Sequence, residues 1–329
     1  MNTKSILAAC LLVFVTAPTA IGLQGALGAT RVRTLTPEQV EILDHLNIVF
    51  LDDGQGGMVK TLRISGINVQ IVDGSGTTDG SPTGVGNLIV GYNEMRTFPG
   101  GVTNDRTGSH NIVGGREHDY NRFGGLVVGN RNGILGDWSS VSGGVDNTAS
   151  GAYSSVSGGG CNTASGVTAS VIGGYGNTAS NTGASVSGGF DNAASGIYSS
   201  VSGGQYNMAT FPHSSVSGGR YNMASGSYAS VSGGQLNLAS GNYSSVSGGR
   251  SNIAGGVSSS IGGGRSNSSV GHAASISGGR SNTTTGANAS VSGGYSNSAI
   301  ANDSTVGGGW NRETLGSYFW AAGSLLEYN

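Results

Sequence analysis

The chain has 329 residues, a formal net charge of −2 and only 10% charged residues, and 63 of its residues are glycine. So much glycine, against a usual ~7%, leaves three classes: collagen, a flexible low-complexity chain, or a stack of repeats. Collagen is excluded because glycine does not fall at every third position and there are only 5 prolines. The near-neutral balance argues against a nucleic-acid partner, which calls for a basic face.

In chain order, residues 1–28 read as a secretory signal. Lys4 supplies the positive start, and Ile6–Val15 is an apolar run too short to span a bilayer. Small-x-small sites follow at Ala20–Gly22 and Ala26–Gly28. No later segment is apolar enough to cross a membrane, so the mature chain is expected to be exported and to carry no membrane span. It keeps one cysteine, Cys161, and therefore no internal disulfide is expected.

Residues 29–74 are expected to form an N-terminal cap. Thr36, Pro37 and Gln39 make the cap, first position and capping box of a helix over Thr36–Leu46, with Val40, Leu43 and Leu46 as its apolar stripe. The next stretch, to Gly74, reads as three strands with glycine turns that cover the first coil of the repeat region. Residues 75–138 read as irregular coils. Asn87–Asn93, His110–Gly115 and Gly125–Asn132 share an apolar pair followed by glycine, Ile112 aligns with Val127, and a loop is inserted between Tyr92 and Asn111.

From residue 139 to 317 the pattern becomes strict. Val141, Val156, Val171, Val186, Val201, Val216, Val231, Val246, Ile261, Ile276, Val291 and Val306 recur at a spacing of 15 without an insertion. Gly-Gly follows each one two residues later. Asparagine follows at Asn147, Asn162, Asn177, Asn192, Asn207, Asn222, Asn237, Asn252, Asn267, Asn282 and Asn297. Alanine holds the second place after it from Ala149 to Ala254, and glycines such as Gly151, Gly166 and Gly241 close the repeats.

A linker has no reason to keep such a register. A stack of identical coils does, because each residue sits on its copy one coil below. Fifteen residues are too few for a helix pair, and β-branched valine between serines suits a strand. The fold class is therefore all-β: a β-solenoid, or parallel β-roll, of ~15-residue coils. Two short strands per coil turn at Gly-Gly and at the closing glycine. Alternation places Val246 inside with Ser244 and Gly248, and Ser245 and Ser247 outside. Ala254 points inward, and the asparagines form a stacked structural ladder. Residues 318–329, with the apolar Tyr318–Tyr328, are expected to cap the far end.

The coil order S-V-S-G-G-x-x-N-x-A-x-G resembles the head repeat of the trimeric autotransporter adhesins, the YadA-like head, over about residues 85–317. The period here is 15 rather than 14, glycine replaces the inward isoleucine, and no stalk or membrane anchor is expected. The resemblance implies a left-handed, trimerising roll and suggests adhesion, but not self-transport or outer-membrane anchoring; the expected location is extracellular, secreted or at a bacterial cell surface.

Chemistry leaves little trace. Between Ser139 and Gly309 the carboxylates are Asp146, Asp191 and Asp303, on distant coils, so no catalytic pair is expected. No cofactor or metal is called for. Glu117-His118-Asp119 offers metal-ligand types, but adjacent polar residues in a loop read first as solvated.

One column stands out. The position after Gly-Gly carries Tyr175, Phe190, Arg220, Arg250, Arg265, Arg280, Tyr295 and Trp310. Stacking lines these up along the rod. Arginine and aromatics are typical binding residues, so an extracellular protein or polysaccharide is the expected partner. The competing reading is a tolerant corner kept soluble by arginine. A second column, Tyr153, Tyr198, Tyr228 and Tyr243, reads equally as turn packing. The expected function is that of a secreted, non-enzymatic, adhesin-like repeat protein. The alternative is an ice-binding solenoid using the Ser-x-Ser rows, and a polysaccharide-active β-helix enzyme ranks lower for want of acids.

Overall fold

The structure is a computed structural model that describes residues 35–96 and 104–323. The expected signal segment and the end of the expected C-terminal cap, 324–329, lie outside the described residues. The chain divides into two compact units between Val69 and Gln70.

The first unit is a helix and a hairpin. Helix α1 spans Pro37–Asp44 with both halves of the capping box present: the Gln39 N–H donates to the Thr36 hydroxyl, and the Gln39 carboxamide oxygen accepts from the Thr36 N–H. At its other end a ring nitrogen of His45 lies 2.8 Å from the Ser65 carbonyl. Strand β1 (Leu46–Asp52) pairs antiparallel with β2 (Met58–Ile64), Leu46 opposite Ile64. The expected third strand does not form. Gly66, at φ +79°, turns the chain, and the apolar run after it, Ile67–Val72, joins no ladder.

The second unit is the β-solenoid. Strands β3 (Leu88–Val90), β4 (Ile112–Arg116), β6 (Leu126–Asn130), β8 (Ser140–Val141) and every even strand to β32 (Trp320–Ala321) build a 16-stranded sheet. Strands β5 (Asp119–Tyr120), β7 (Gly133–Ile134), β9 (Thr148–Ala149) and every odd strand to β31 (Glu313–Thr314) build a 14-stranded sheet. All pairs in both sheets are parallel and in register: Val156 lies beside Val141 and Val171, and Ala164 beside Ala149 and Ala179. A third face carries single-residue parallel bridges from Val145 through Arg250, Arg265 and Arg280 to Trp310. The expectation of two strands per coil thus omitted a one-residue ladder that is too short to show as a strand.

The interior is a thin column. In the regular coils the inward valines and isoleucines of the first sheet, Val141 to Val306, and the inward alanines of the second, Ala149 to Ala254 and Ala299, are at most 1% exposed. So narrow a section excludes larger side chains, and ladder hydrogen bonds carry much of the cohesion. Ser244 lies inside as expected, but Gly248 does not. A Cβ built there meets open space, because the chain is already turning out of the strand.

The two kinds of corner use glycine differently. Gly234 has φ +88°, and a Cβ on it would lie 2.6 Å from Asn237 Nδ2 and 2.9 Å from Gly249 N. The closing Gly241 has no positive φ; it is excluded from bearing a side chain by the backbone of Gly256 in the next coil. The positive φ of that corner falls two residues later, on Tyr243 at +61°.

In the irregular coils the expected alignment of Ile112 with Val127 is corrected. Val127 pairs with Val113, and Ile112 with Leu126, so these coils are one residue shorter than the regular ones. The longer coil runs from Ile89 to Val113 and contains the inserted loop. At the other end Trp320 and Ala321 pair with Thr305 and Val306, so the segment expected as a cap begins as one more coil.

Candidate binding surface

Each residue of the third face sits between two corners with left-handed backbone. Gly249 (φ +86°) precedes Arg250 and Ser251 (φ +57°) follows it, after which Asn252 turns fully inside. A residue bracketed in this way projects its side chain outward. The bridging aligns Tyr175, Phe190, Arg220, Arg250, Arg265, Arg280, Tyr295 and Trp310 in one column, all exposed, at a rise of about 4.8 Å per coil.

The column has two chemical halves. Tyr175 and Phe190 stack at 5.7 Å, Phe190 meets Tyr206 edge-on at 5.5 Å, and Tyr206 stacks on Tyr221 at 4.7 Å. The Arg220 guanidinium lies 5.0 Å above the Tyr221 ring. Tyr206 and Tyr221 therefore extend the surface, although they occupy the neighbouring left-handed position. Their signal in the sequence is a tyrosine one residue after the stripe, repeated at 15. The Tyr175 phenol is held above its ordinary pKa, first by its hydrogen bond with Cys161 and then by the charge of that thiol.

The second half is cationic. Arg250, Arg265 and Arg280 stand on successive coils, and none has an ion-pair partner among the described residues. No aspartate or glutamate occurs from Asn192 to Asn302. Arg280 is partnered by an aromatic face instead, 5.5 Å from the Tyr295 ring centre. In contrast, the carboxylate of Asp146 nearer the N-terminus is clamped by Arg96 at 2.6 Å and Arg131 at 2.5 Å.

The second tyrosine column is a ring stack. Tyr198, His213, Tyr228 and Tyr243 lie parallel, with centres 5.4, 4.6 and 5.1 Å apart. His213 belongs to it by the same spacing and was not singled out in the sequence. Tyr153 occupies the same corner between Trp138 and Thr168 of the two adjacent coils; Trp138 packs edge-on against Phe123 instead of extending the stack.

The asparagine column is buried and belongs to the architecture. Asn222 Nδ2 donates to the Gly218 carbonyl at 2.8 Å and to the Gly234 carbonyl at 3.0 Å; its Oδ1 accepts from the Asn237 N–H at 3.0 Å. The same three bonds recur from Asn147 to Asn297, so each side chain ties the backbone of its own coil to that of the next. Asn132 is an earlier rung that sequence reading passed over.

His118 is the rung before that. Its Nε2 lies 2.9 Å from the Gly114 carbonyl, and its Nδ1 accepts from the Asn132 N–H at 3.2 Å. The ring thus copies the donor and acceptor of an asparagine. Both nitrogens are engaged by backbone, which leaves none for a metal. Burial pushes its pKa below the ordinary imidazole value. Among the described residues no three His, Cys, Asp or Glu side chains form a metal-binding group.

The outer side of the 16-stranded sheet carries a regular hydroxyl array. Ser245 and Ser247 and their copies line two rows, broken at Ile172, Gly262 and Gly307. No protein-family model matches this chain, and no curated protein matches it.

Proposed function

We propose that the chain is a secreted, non-enzymatic, adhesin-like repeat protein whose third face holds an extracellular partner. The observation that supports this is the outward column of unpaired arginines and clustered aromatics on a scaffold built otherwise from small residues. A column of like charges opposes the stacking that creates it, so stability alone does not account for it. The resemblance to the YadA-like head supports adhesion and a homotrimer at a cell surface.

The test is adhesion of the full chain to a panel of immobilised glycans and matrix proteins. It is compared with a variant in which Tyr175, Phe190, Arg250 and Arg265 are all changed to serine. The reading requires capture of at least one target by the wild type and its loss in the variant. Equal capture by both, or none by either, overturns it. Light scattering after gel filtration reads the oligomeric state, and a monomer removes the trimer from the reading.

The serine array supports a second reading, ice binding. Thermal hysteresis in a freezing-point assay, abolished by Ser230→Lys and Ser245→Lys together, would favour it over adhesion.

A further inference from the structure

We propose that the partner of the third face is a linear acidic polysaccharide lying along the rod axis, with one carboxylate or sulfate per one or two sugar residues. This rests on the reading of that face as a binding surface and names its ligand class.

The argument is one of spacing and charge. Arg220, Arg250, Arg265 and Arg280 occupy four of five successive positions in the column, and the fifth is Gln235. Neighbouring positions are about 4.8 Å apart, so the charged part extends about 19 Å. A β-linked sugar residue advances by close to one such step, so an extended glycan stays in phase with the column over several residues. Guanidinium forks take up carboxylate and sulfate in two-pronged hydrogen bonds. With no acidic residue from Asn192 to Asn302, nothing on these coils competes for them. The cationic run ends beside an exposed ring, Tyr295 against Arg280, which suits the apolar face of a sugar.

A nucleic acid fits less well. A DNA strand carries a phosphate every ~3.4 Å along the duplex axis, denser than this column of arginines. The tyrosines Tyr206 and Tyr221 stack on each other and so offer their edges rather than free platforms for bases.

The experiment measures binding of the full chain to polymannuronate and chondroitin sulfate, both β-linked, and to neutral dextran and an oligo-dT strand, by fluorescence anisotropy across a salt series. The expected result is binding to one or both acidic glycans and not to dextran, with affinity falling as salt rises. In log–log form the slope should reach at most about 4, one per arginine. The triple variant Arg250→Gln, Arg265→Gln, Arg280→Gln should bind about tenfold more weakly or worse. Gln235→Arg fills the gap and should bind about two- to fivefold more tightly. Affinity for oligomers should level off at about five sugar residues, the length of the column. Circular dichroism checks that each variant keeps the wild-type fold.

Equal binding to dextran, an unchanged affinity in both variants, or stronger binding to oligo-dT than to either glycan would overturn the proposal. If the glycan and matrix panel still shows capture that depends on the stripe, the binding surface stands and only the ligand class falls. If that capture fails too, both fall.

Discussion

Replacing Asn222 by alanine should open the rod locally, and the size of the effect is set by three bonds. The Asn237 N–H, inside a residue only 1% exposed, loses its acceptor and is shielded from solvent. An orphaned buried donor costs about 1–3 kcal/mol. The Gly234 carbonyl still accepts from the Arg220 N–H at 2.9 Å, and the half-buried Gly218 carbonyl can turn to solvent, so these lose less. Adding the small void left by the carboxamide, a total of about 3 kcal/mol is expected.

Each coil touches only its neighbours, so the cost is confined to the coils on either side. The assay is therefore native-state amide exchange rather than a single global transition, since long repeat arrays need not unfold in two states. Protection of the Asn237 amide should fall by about a hundredfold, with coils beyond Asn267 little changed. Asn222→Asp is the control that keeps shape. Its carboxylate would face two carbonyls at neutral pH, so it should be worse than alanine there and recover on acidification, as the neutral acid can donate. A change of less than threefold at Asn237 in the alanine variant would show that the ladder results from the stacking rather than holding it.

The neighbouring glycines of one corner should behave as opposites. Gly234→Ala forces a Cβ onto the Asn237 amide at φ +88°, and an unfolding midpoint loss of several degrees is expected; Gly233→Ala enters open space and should stay within about 0.5 kcal/mol of wild type. His118 gives a pH dependence. Its folded pKa lies below the ordinary value of 6.5, so its contribution is full above that value and is lost as pH falls toward the folded one. His118→Asn should keep the rung and flatten stability against pH in that window, read by urea unfolding at several pH values. Ala224→Leu, at a position with no exposed surface, should destabilise by about 1–3 kcal/mol or more in the same assay, since the column has no space to give.

The strands were legible because a slip of one residue would turn every valine outward. Val141 through Val306 therefore announce their register without help. The irregular coils were harder to read. Two adjacent apolar residues, Ile112 and Val113, both fit the pattern, and only pairing shows that Val113 is the inward one. The corners were the least legible part. Tyr221, Cys161, Leu236 and Ser266 all sit at φ near +56°, a place where glycine or asparagine would be expected, so residue type alone does not reveal the turn. His118 was hidden for a different reason: an imidazole standing in for a carboxamide is recognisable only by its spacing to Asn132 and by the bonds it makes. In the stripe the alignment was readable from the period. Its extension to Tyr206 and Tyr221 needed the stacking geometry.

The one-for-one register of the regular coils makes length a quantity separable from everything else the rod does. Removing fifteen consecutive residues from the middle deletes one rung from each ladder and rejoins identical ends, shortening the rod by about 4.8 Å without presenting any new surface. Unequal exchange between near-identical repeats would do the same in either direction. Reach, and with it the number of binding positions on the proposed face, then scales with copy number. The individual coil is replaceable, and selection can act on how many there are before it acts on what any one of them contains.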